Sequence, residues 1–349
     1  MPFYHKLKHP SAENKRCLTK LIELRAQLKA EVPEKTQSKH LLFATWNIRD
    51  FDKPSYNSRL KESFYYIAEI ISHFDIVAIQ EVYKDLNALN KVMEILGSGW
   101  DYIFTDTTEG GRGNSERMAY VFDKSKVRFG GLCGEMVIPP MSDGTPVGQV
   151  WRTPMISGFE AGWARFMMCS VHIQWGSNDA NSAERIKEIE HVAKFLERRS
   201  KDETAWARKL ILLGDFNIFS QKHQTYAELE KRGFKSPKEL TETYTNLGKE
   251  KRTYDQILLK ERKERFEVVK GGAFDFTKAL FTLADEPVYK PLMLKKKKKE
   301  TDPDEFYSNY KQWSTHQMSD HLPLWLEVKI DYSDAYLSDL LKKQELPIV

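Results

Sequence analysis

Carboxylates, amides and imidazoles recur in this chain at the edges of short apolar runs, where a purely structural role explains them least. Six motifs share the pattern: Thr45-Trp46-Asn47-Ile48, Ile79-Gln80-Glu81-Val82, Ser170-Val171-His172, Gly214-Asp215-Phe216-Asn217, Tyr254-Asp255-Gln256-Ile257 and Ser319-Asp320-His321. Apolar runs bounded by turn residues read as buried strands. Each motif therefore sets a polar group against a core that does not tolerate it unpaired. Asp255 is the sharpest case, a carboxylate inside the apolar run Thr253 to Leu259. Brought together, these groups supply oxygen ligands, amide donors and two imidazoles. Imidazoles change charge near neutral pH and serve as general acids or bases. An oxygen-rich donor set without thiolate suits Mg2+ or Mn2+ rather than zinc.

The elements that must position these groups mix strands with helices. Strand candidates are Leu41 to Trp46, Asp75 to Ile79, Met118 to Phe122, Arg165 to His172, Lys209 to Leu213, Thr253 to Leu259 and Leu322 to Ile330. Leu60, Phe64, Ile67, Ile71 and Phe74 mark one amphipathic helix, and Ile186, Ile189, Val192, Ala193 and Leu196 mark another. The mixture predicts layered α/β packing. Near-continuous apolar runs such as Lys209 to Leu213 predict a sheet covered on both faces. In layered sheets ligands gather beyond the carboxyl ends of strands, so several of these ends can share one pocket.

The remainder divides into three pieces. Residues 1–39 read as an N-terminal amphipathic helix and linker, with Leu18, Leu21, Leu24 and Leu28 at helical spacing and a stop at Val32-Pro33. That helix is expected either to pack on the body or to bind a protein partner. Residues 40–331 read as one catalytic domain, and 332–349 as a C-terminal tail. Within the domain, residues 285–315 look like an insertion, carrying Pro287, Pro291 and Pro303, the run Lys295 to Lys299, then Phe306, Tyr307, Tyr310 and Trp313. The lysines read as a solvated loop, or as a basic, aromatic element that holds a phosphate backbone. His316 reads as a loop residue.

Composition excludes several classes. Hydrophobic residues at 41% and charged residues at 30% fit an ordinary globular protein. A net charge of +4 does not demand nucleic acid through bulk electrostatics. Three separated cysteines, Cys17, Cys133 and Cys169, argue against a disulfide framework and for a reducing compartment. Met1 to Pro10 lacks the apolar stretch of a secretory signal. No run approaches the roughly 18 apolar residues of a membrane span, so no membrane insertion is expected. The expected location is the cytoplasm, or the nucleus in a eukaryotic host.

In order and spacing, the six motifs resemble the endonuclease/exonuclease/phosphatase family across residues 40–330. Asn47-Ile48-Arg49, Ser115-Glu116-Arg117, Tyr254-Asp255-Gln256-Ile257 and Ala273-Phe274-Asp275-Phe276 are similar to its deoxyribonuclease I branch. The resemblance implies an α/β fold of four αββα layers, two packed and mostly antiparallel sheets flanked by helices. It also implies a divalent metal, Mg2+ or Mn2+, and hydrolysis of a phosphate ester. Glu81 would ligate the metal, with Asn47 and Asp320 as further ligands. Asp215 and Asn217 would orient the attacking water and hold the phosphate, with Arg49 and Arg117 as phosphate contacts. His321 would pair with Asp255 and His172 with Glu116. A carboxylate behind an imidazole fixes its tautomer and favours the imidazolium. One pair could then act as general base and the other as general acid, with Asp215 an alternative base.

The expected activity is a metal-dependent phosphodiesterase, an endonuclease on DNA with little sequence preference. RNA stays an alternative substrate, since only the 2′-hydroxyl or helix shape separates the two. A phosphatase or phospholipase C-type member of the family is the second reading. His172 is shared with those branches, but Leu213 precedes Gly214-Asp215 and the Trp-x-Gly-Asp-x-Asn signature of inositol phosphatases is absent. A non-catalytic binding module is the third, disfavoured because every catalytic position is filled. Two departures concern substrate. Tyr83 stands where the deoxyribonuclease branch has an arginine that enters the DNA minor groove. The N-terminal helix and the lysine insertion have no counterpart in the compact secreted enzymes, whose signal peptide and disulfides are missing here.

Overall fold

The computed structural model describes residues 2–51, 53, 59–109, 113–140, 148–260, 266–295, 303 and 305–344. Its strands are β1 (His40–Phe51), β2 (Ile76–Tyr83), β3 (Trp100–Phe104), β4 (Glu116–Asp123), β5 (Arg128–Glu135), β6 (Met155–Ala161), β7 (Ala164–His172), β8 (Lys209–Asp215), β9 (Phe234–Lys235), β10 (Asp255–Lys260), β11 (Val268–Ala273) and β12 (Leu324–Lys329). The helices are α1 (Ala12–Glu31), α2 (Lys61–Ser72), α3 (Asn87–Leu96), α4 (Ala183–Lys201), α5 (Gln224–Lys231), α6 (Glu286–Tyr289), α7 (Tyr310–Gln317) and α8 (Ser333–Gln344). The strands form two six-stranded sheets, ordered β11-β12-β1-β2-β4-β3 and β5-β6-β7-β8-β10-β9. Pairing is antiparallel except between β1 and β2 and between β7 and β8.

Side-chain parity explains why both sheets are apolar on both faces. Successive residues of a strand point to opposite sides. Leu41 and Phe43 of β1, Ile76 and Ala78 of β2, Phe166 and Met168 of β7, and Ile211 and Leu213 of β8 meet in one core between the sheets. The residues between them face outward. Leu42, Ala44, Val77 and Ile79 pack beneath α1, α2 and α3. Met167, Cys169, Leu210 and Leu212 pack beneath α4 and α5. The result is the four-layer αββα sandwich that the continuous apolar runs and the family resemblance imply.

The N-terminal helix is part of this packing. Ser11 caps α1 by accepting from the backbone N–H of Asn14 at 3.0 Å. Cys17, Leu21, Leu24 and Leu28 are buried, while Leu18 points outward and is 40% exposed. Arg16 and Arg25 reach the buried carboxylates of Glu62 and Glu69 on α2, at 2.9 and 2.8 Å.

Residues 285–295 and 305–315 are more ordered than an insertion of prolines and lysines suggests. Tyr289, Tyr310 and Trp313 are buried in the core that also holds Trp46. His316 is buried on α7, not in a loop; the prolines and lysines upstream hide this short helix from a reading by periodicity. Four members of the lysine run, Lys296 to Lys299, lie outside the described residues. The tail expected from 332 onward begins with α8, which has no buried residue.

Candidate active site

The site follows from extending the same parity past the last apolar rung. In the space between the sheets, Phe43, Ala78, Met168 and Leu213 are succeeded at two-residue spacing by Thr45, Gln80, Ser170 and Asp215. Gln80 accepts from Thr45 Oγ1 at 3.2 Å and donates across the sandwich to Ser170 Oγ at 2.9 Å. The next step brings Asn47 and His172, and the antiparallel neighbours β10 and β4 begin there with Asp255 and Glu116. Asp215 stands in register with His172 on one side and Asp255 on the other. The carboxyl ends of four strands and the amino ends of two thus close on one point.

Local backbone features tune the convergence. Gly214 has φ +133°, and a Cβ there would lie 2.1 Å from the Val171 carbonyl oxygen, so only glycine fits against β7. Glu81 adopts φ +63° at an irregularity in the pairing of β2 with β4. Its Oε2 accepts from the backbone N–H of Asp50 at 2.6 Å and its Oε1 from Asn47 Nδ2 at 2.8 Å. Asn47 Nδ2 also donates to Asp215 Oδ2 at 3.0 Å, bridging the sheets. Asn217, φ +52°, donates its backbone N–H to Asp215 Oδ1 at 2.9 Å and its amide to the Ile173 carbonyl at 2.8 Å. Ser319 Oγ donates to the Asn47 carbonyl at 2.6 Å and accepts from the backbone of His321 at 3.0 Å.

Two imidazole–carboxylate pairs flank Asp215. His321 Nδ1 lies 2.7 Å from Asp255 Oδ2, and His172 Nδ1 lies 3.1 Å from Glu116 Oε2. The opposite nitrogens face a single oxygen: His172 Nε2 is 3.6 Å and His321 Nε2 3.8 Å from Asp215 Oδ2. Burial opposes a charged His321, but the carboxylates of Asp255 and Asp215 outweigh it and hold its pKa well above the usual value. Burial raises Asp255, against the pull of His321. Burial also pushes Glu116 up, yet His172 and Arg152 together bring it down to about 2. Asp50, partly buried beside Glu81, is pushed up to about 6 by desolvation and by that carboxylate.

The donor set suits a hard divalent cation. Asn47 Oδ1 is buried without a hydrogen-bond partner, an orphaned acceptor next to the Glu81 carboxylate. Glu81, Glu116 and His172 form one group whose ligand atoms lie within 4.8 Å of one another, and Asp215, Asp255 and His321 form a second. Oxygen dominates and no thiolate takes part, as Mg2+ or Mn2+ prefers. Asp320 stands apart from both groups; its half-exposed carboxylate is 3.6 Å from Arg49 Nη1.

The arginines differ in placement. Arg49 donates to Thr315 Oγ1 at 2.7 Å at the wall of an open cleft over His321. Arg117 is turned to the Thr105 carbonyl at 2.8 Å and to Asp106 at 3.2 Å, with its guanidinium over Phe104. The arginine at Glu116 is instead Arg152, whose Nε lies 2.8 Å from Oε2. No motif pointed to Arg152, because it enters from a loop far along the chain. Trp175, Lys249, Tyr254 and Lys311 also line the cleft.

No family model matches the chain. A deoxyribonuclease of Thioalkalivibrio sp. (strain K90mix) is 26% identical over 222 residues, 62% of this chain and 56% of that protein. The chain thus spans little more than half of this curated relative. An endonuclease/exonuclease/phosphatase family protein of Bacteroides thetaiotaomicron superposes with TM-score 0.54 at 19% identity, over 84% of this chain and 98% of the other. A mannosyl-6-phosphatase of the same species gives 0.51 at 19%, over 82% and 99%. TDP2 of D. rerio, solved with a single-strand DNA product, gives 0.51 at 14%, over 83% and 98%. No helix among the described residues is long and apolar enough to cross a membrane. The fold of this chain is that of the endonuclease/exonuclease/phosphatase proteins, with the deoxyribonuclease I-like sandwich that its six motifs suggest.

Proposed function

We propose that this protein is a metal-dependent phosphodiesterase that cleaves DNA internally. The observation that carries the reading is the placement of Asp215 Oδ2 between two imidazole nitrogens, each ring backed by a buried carboxylate. Such a constellation can accept a proton from water on one side of a phosphate and donate one on the other. His321, kept charged by Asp255 and Asp215, presents an N–H to a phosphate oxygen or to the leaving oxygen. Asp215 and His172 offer acceptors for the proton of the attacking water. Asn217 donates two hydrogen bonds, one to Asp215 and one to the Ile173 carbonyl, which keep the acceptor in place. Glu81 and Asn47 would hold Mg2+ or Mn2+, which would supply positive charge beside a phosphate oxygen and acidify water there.

DNA is favoured over a small phosphomonoester by the cleft itself. It is open, with Arg49, Lys249 and Lys311 in its lining. Cations spread along a groove match a substrate with several phosphates. The deoxyribonuclease relative and the DNA-bound TDP2 structure support the same class. Initial rates on a DNA oligonucleotide, an RNA of the same sequence, a phosphoinositide and mannose 6-phosphate decide it. Cleavage of DNA ahead of the rest is expected; phosphate release from a monoester with the oligonucleotide left intact would overturn it.

A further inference from the structure

The loop after β7 holds an aromatic ring in place beside the phosphate site. Trp175 stands at the cleft wall, three residues beyond His172, and is 40% exposed. Its backbone is nonetheless fixed. Arg185, fully buried on α4, donates to the carbonyls of Trp175, of Ser177 at 2.8 Å and of Asp179 at 3.1 Å. The ring is braced as well. Its centroid lies 5.3 Å from Phe219 and 5.4 Å from Tyr254, the latter edge-on at 81°. Tyr254 in turn lies 5.6 Å from the His321 imidazole. The guanidiniums of Arg185 and Arg252 sit 4.8 and 3.7 Å from the centre of the Phe219 ring. Arg252 also donates to the Tyr254 hydroxyl at 2.9 Å and to Asn178 at 3.1 Å.

A large aromatic ring left partly in water, with the Arg185 and Arg252 guanidiniums 5.6 and 5.7 Å from its centre, on a loop so heavily braced, is prepared for a flat partner. Rigid aromatic rings beside a cationic groove are how proteins hold bases of a strand, since every base offers a π-face. From this arrangement we infer that Trp175 and Tyr254 form a nucleobase-stacking subsite next to the phosphate bound at His321. The inference deepens the nucleic-acid reading above and rests on it. The base that enters must be unpaired or extruded, because a base inside a duplex already stacks on its neighbours. The enzyme therefore works on single-stranded DNA in preference to duplex.

The test crosses a protein change with a substrate change. A single-stranded DNA oligonucleotide is prepared intact and as a series, each with one nucleotide replaced by an abasic tetrahydrofuran unit. KM and kcat are measured for wild type, Trp175→Ala and Trp175→Phe. Stacking of one base is worth roughly a 5- to 150-fold change. Trp175→Ala is expected to raise KM on the intact strand by a factor in that range, and Trp175→Phe to recover most of it. On the one abasic strand missing the stacked base, wild type loses a similar factor and Trp175→Ala adds less than about twofold, the mark of coupled partners. An unchanged KM in Trp175→Ala, or an equal loss on every abasic strand, overturns the subsite while cleavage itself stands. Failure of wild type to cut any strand overturns the nucleic-acid reading as well. If Trp175→Ala does not fold, Trp175→Phe and the wild-type abasic scan decide alone: a flat scan overturns the subsite.

Discussion

Exchanging Asp255 for Asn removes one charge and almost no volume, and it separates catalysis from stability. Asp255 is buried at the start of β10, with Oδ2 2.7 Å from His321 Nδ1 and Oδ1 without a hydrogen-bond partner. Opposite charges about 4 Å apart interact by about 4 kcal/mol at the effective dielectric of ~20 typical of such sites. That energy corresponds to about three pK units, or on the order of a thousandfold, in the stability of the imidazolium. The Asp255→Asn variant should therefore lose on the order of 10³-fold in kcat; neutralising the carboxylate behind a serine-protease histidine costs about 10⁴-fold. Stability at neutral pH should fall by less than that energy, since burial already disfavours the Asp255 carboxylate and its loss offsets part of the lost His321 stabilisation. The pH profile adds a sign. A pKa raised by folding gives His321 stabilisation that is full below the unfolded value of about 6.5 and is lost as pH rises through the higher folded value. In the variant, the fall in rate at high pH should shift to lower pH. Oligonucleotide cleavage from pH 5 to 10, with thermal melts of both proteins, measures all three. A variant within tenfold of wild-type kcat, or one whose high-pH limb stays put, refutes the reasoning. So does a collapse in Tm that accounts for the lost activity.

Three further changes probe the metal, the second pair and the N-terminal helix. Glu81→Gln should weaken Mn2+ binding at least tenfold by calorimetry, as loss of a charged ligand beside the orphaned Asn47 oxygen requires. Glu116, lowered in the fold to about 2, contributes stability present above its unfolded pKa of about 4.3 and lost as pH falls through the folded value. Glu116→Gln should thus flatten the acid limb between about pH 4.5 and 2, a difference on the order of 3 kcal/mol in urea melts. Arg16→Ala strands the buried Glu62 carboxylate and should cost about 3 kcal/mol in urea unfolding; an unchanged midpoint would mean that α1 does not help hold the sandwich together.

The parts legible in the sequence were those governed by period and parity. The apolar runs of β1, β2, β7, β8 and β12 marked their own strands, and the same two-residue spacing put Asn47 on the inner face of one sheet and His172, Asp215 and Asp255 on the facing inner face of the other. Strand β5 gave no such signal, because Gly130, Gly131 and Gly134 interrupt it and it is largely exposed. On β6, Gly158 has no side chain and is covered by Trp206, from a loop some fifty positions away; only the assembled fold supplies that partner. Helix α8 buries nothing, so no apolar stripe had to be written into it. At the site, Arg152, Trp175, Arg185 and Arg252 act from loops and from a helix whose approach is fixed by tertiary packing. Arg117 shows the converse: its motif was readable, but the Thr105 carbonyl and Asp106 engage its guanidinium in the fold.

The most direct test is the fate of circular single-stranded DNA, which has no ends, incubated with the purified protein in Mg2+ or Mn2+ and in EDTA, beside an Asp215→Asn variant. Linear and then shorter products are expected with metal, and intact circles in EDTA and with the variant. Circles that survive wild-type protein in both metals, or that are cut equally well by the Asp215→Asn variant, would contradict the proposed activity.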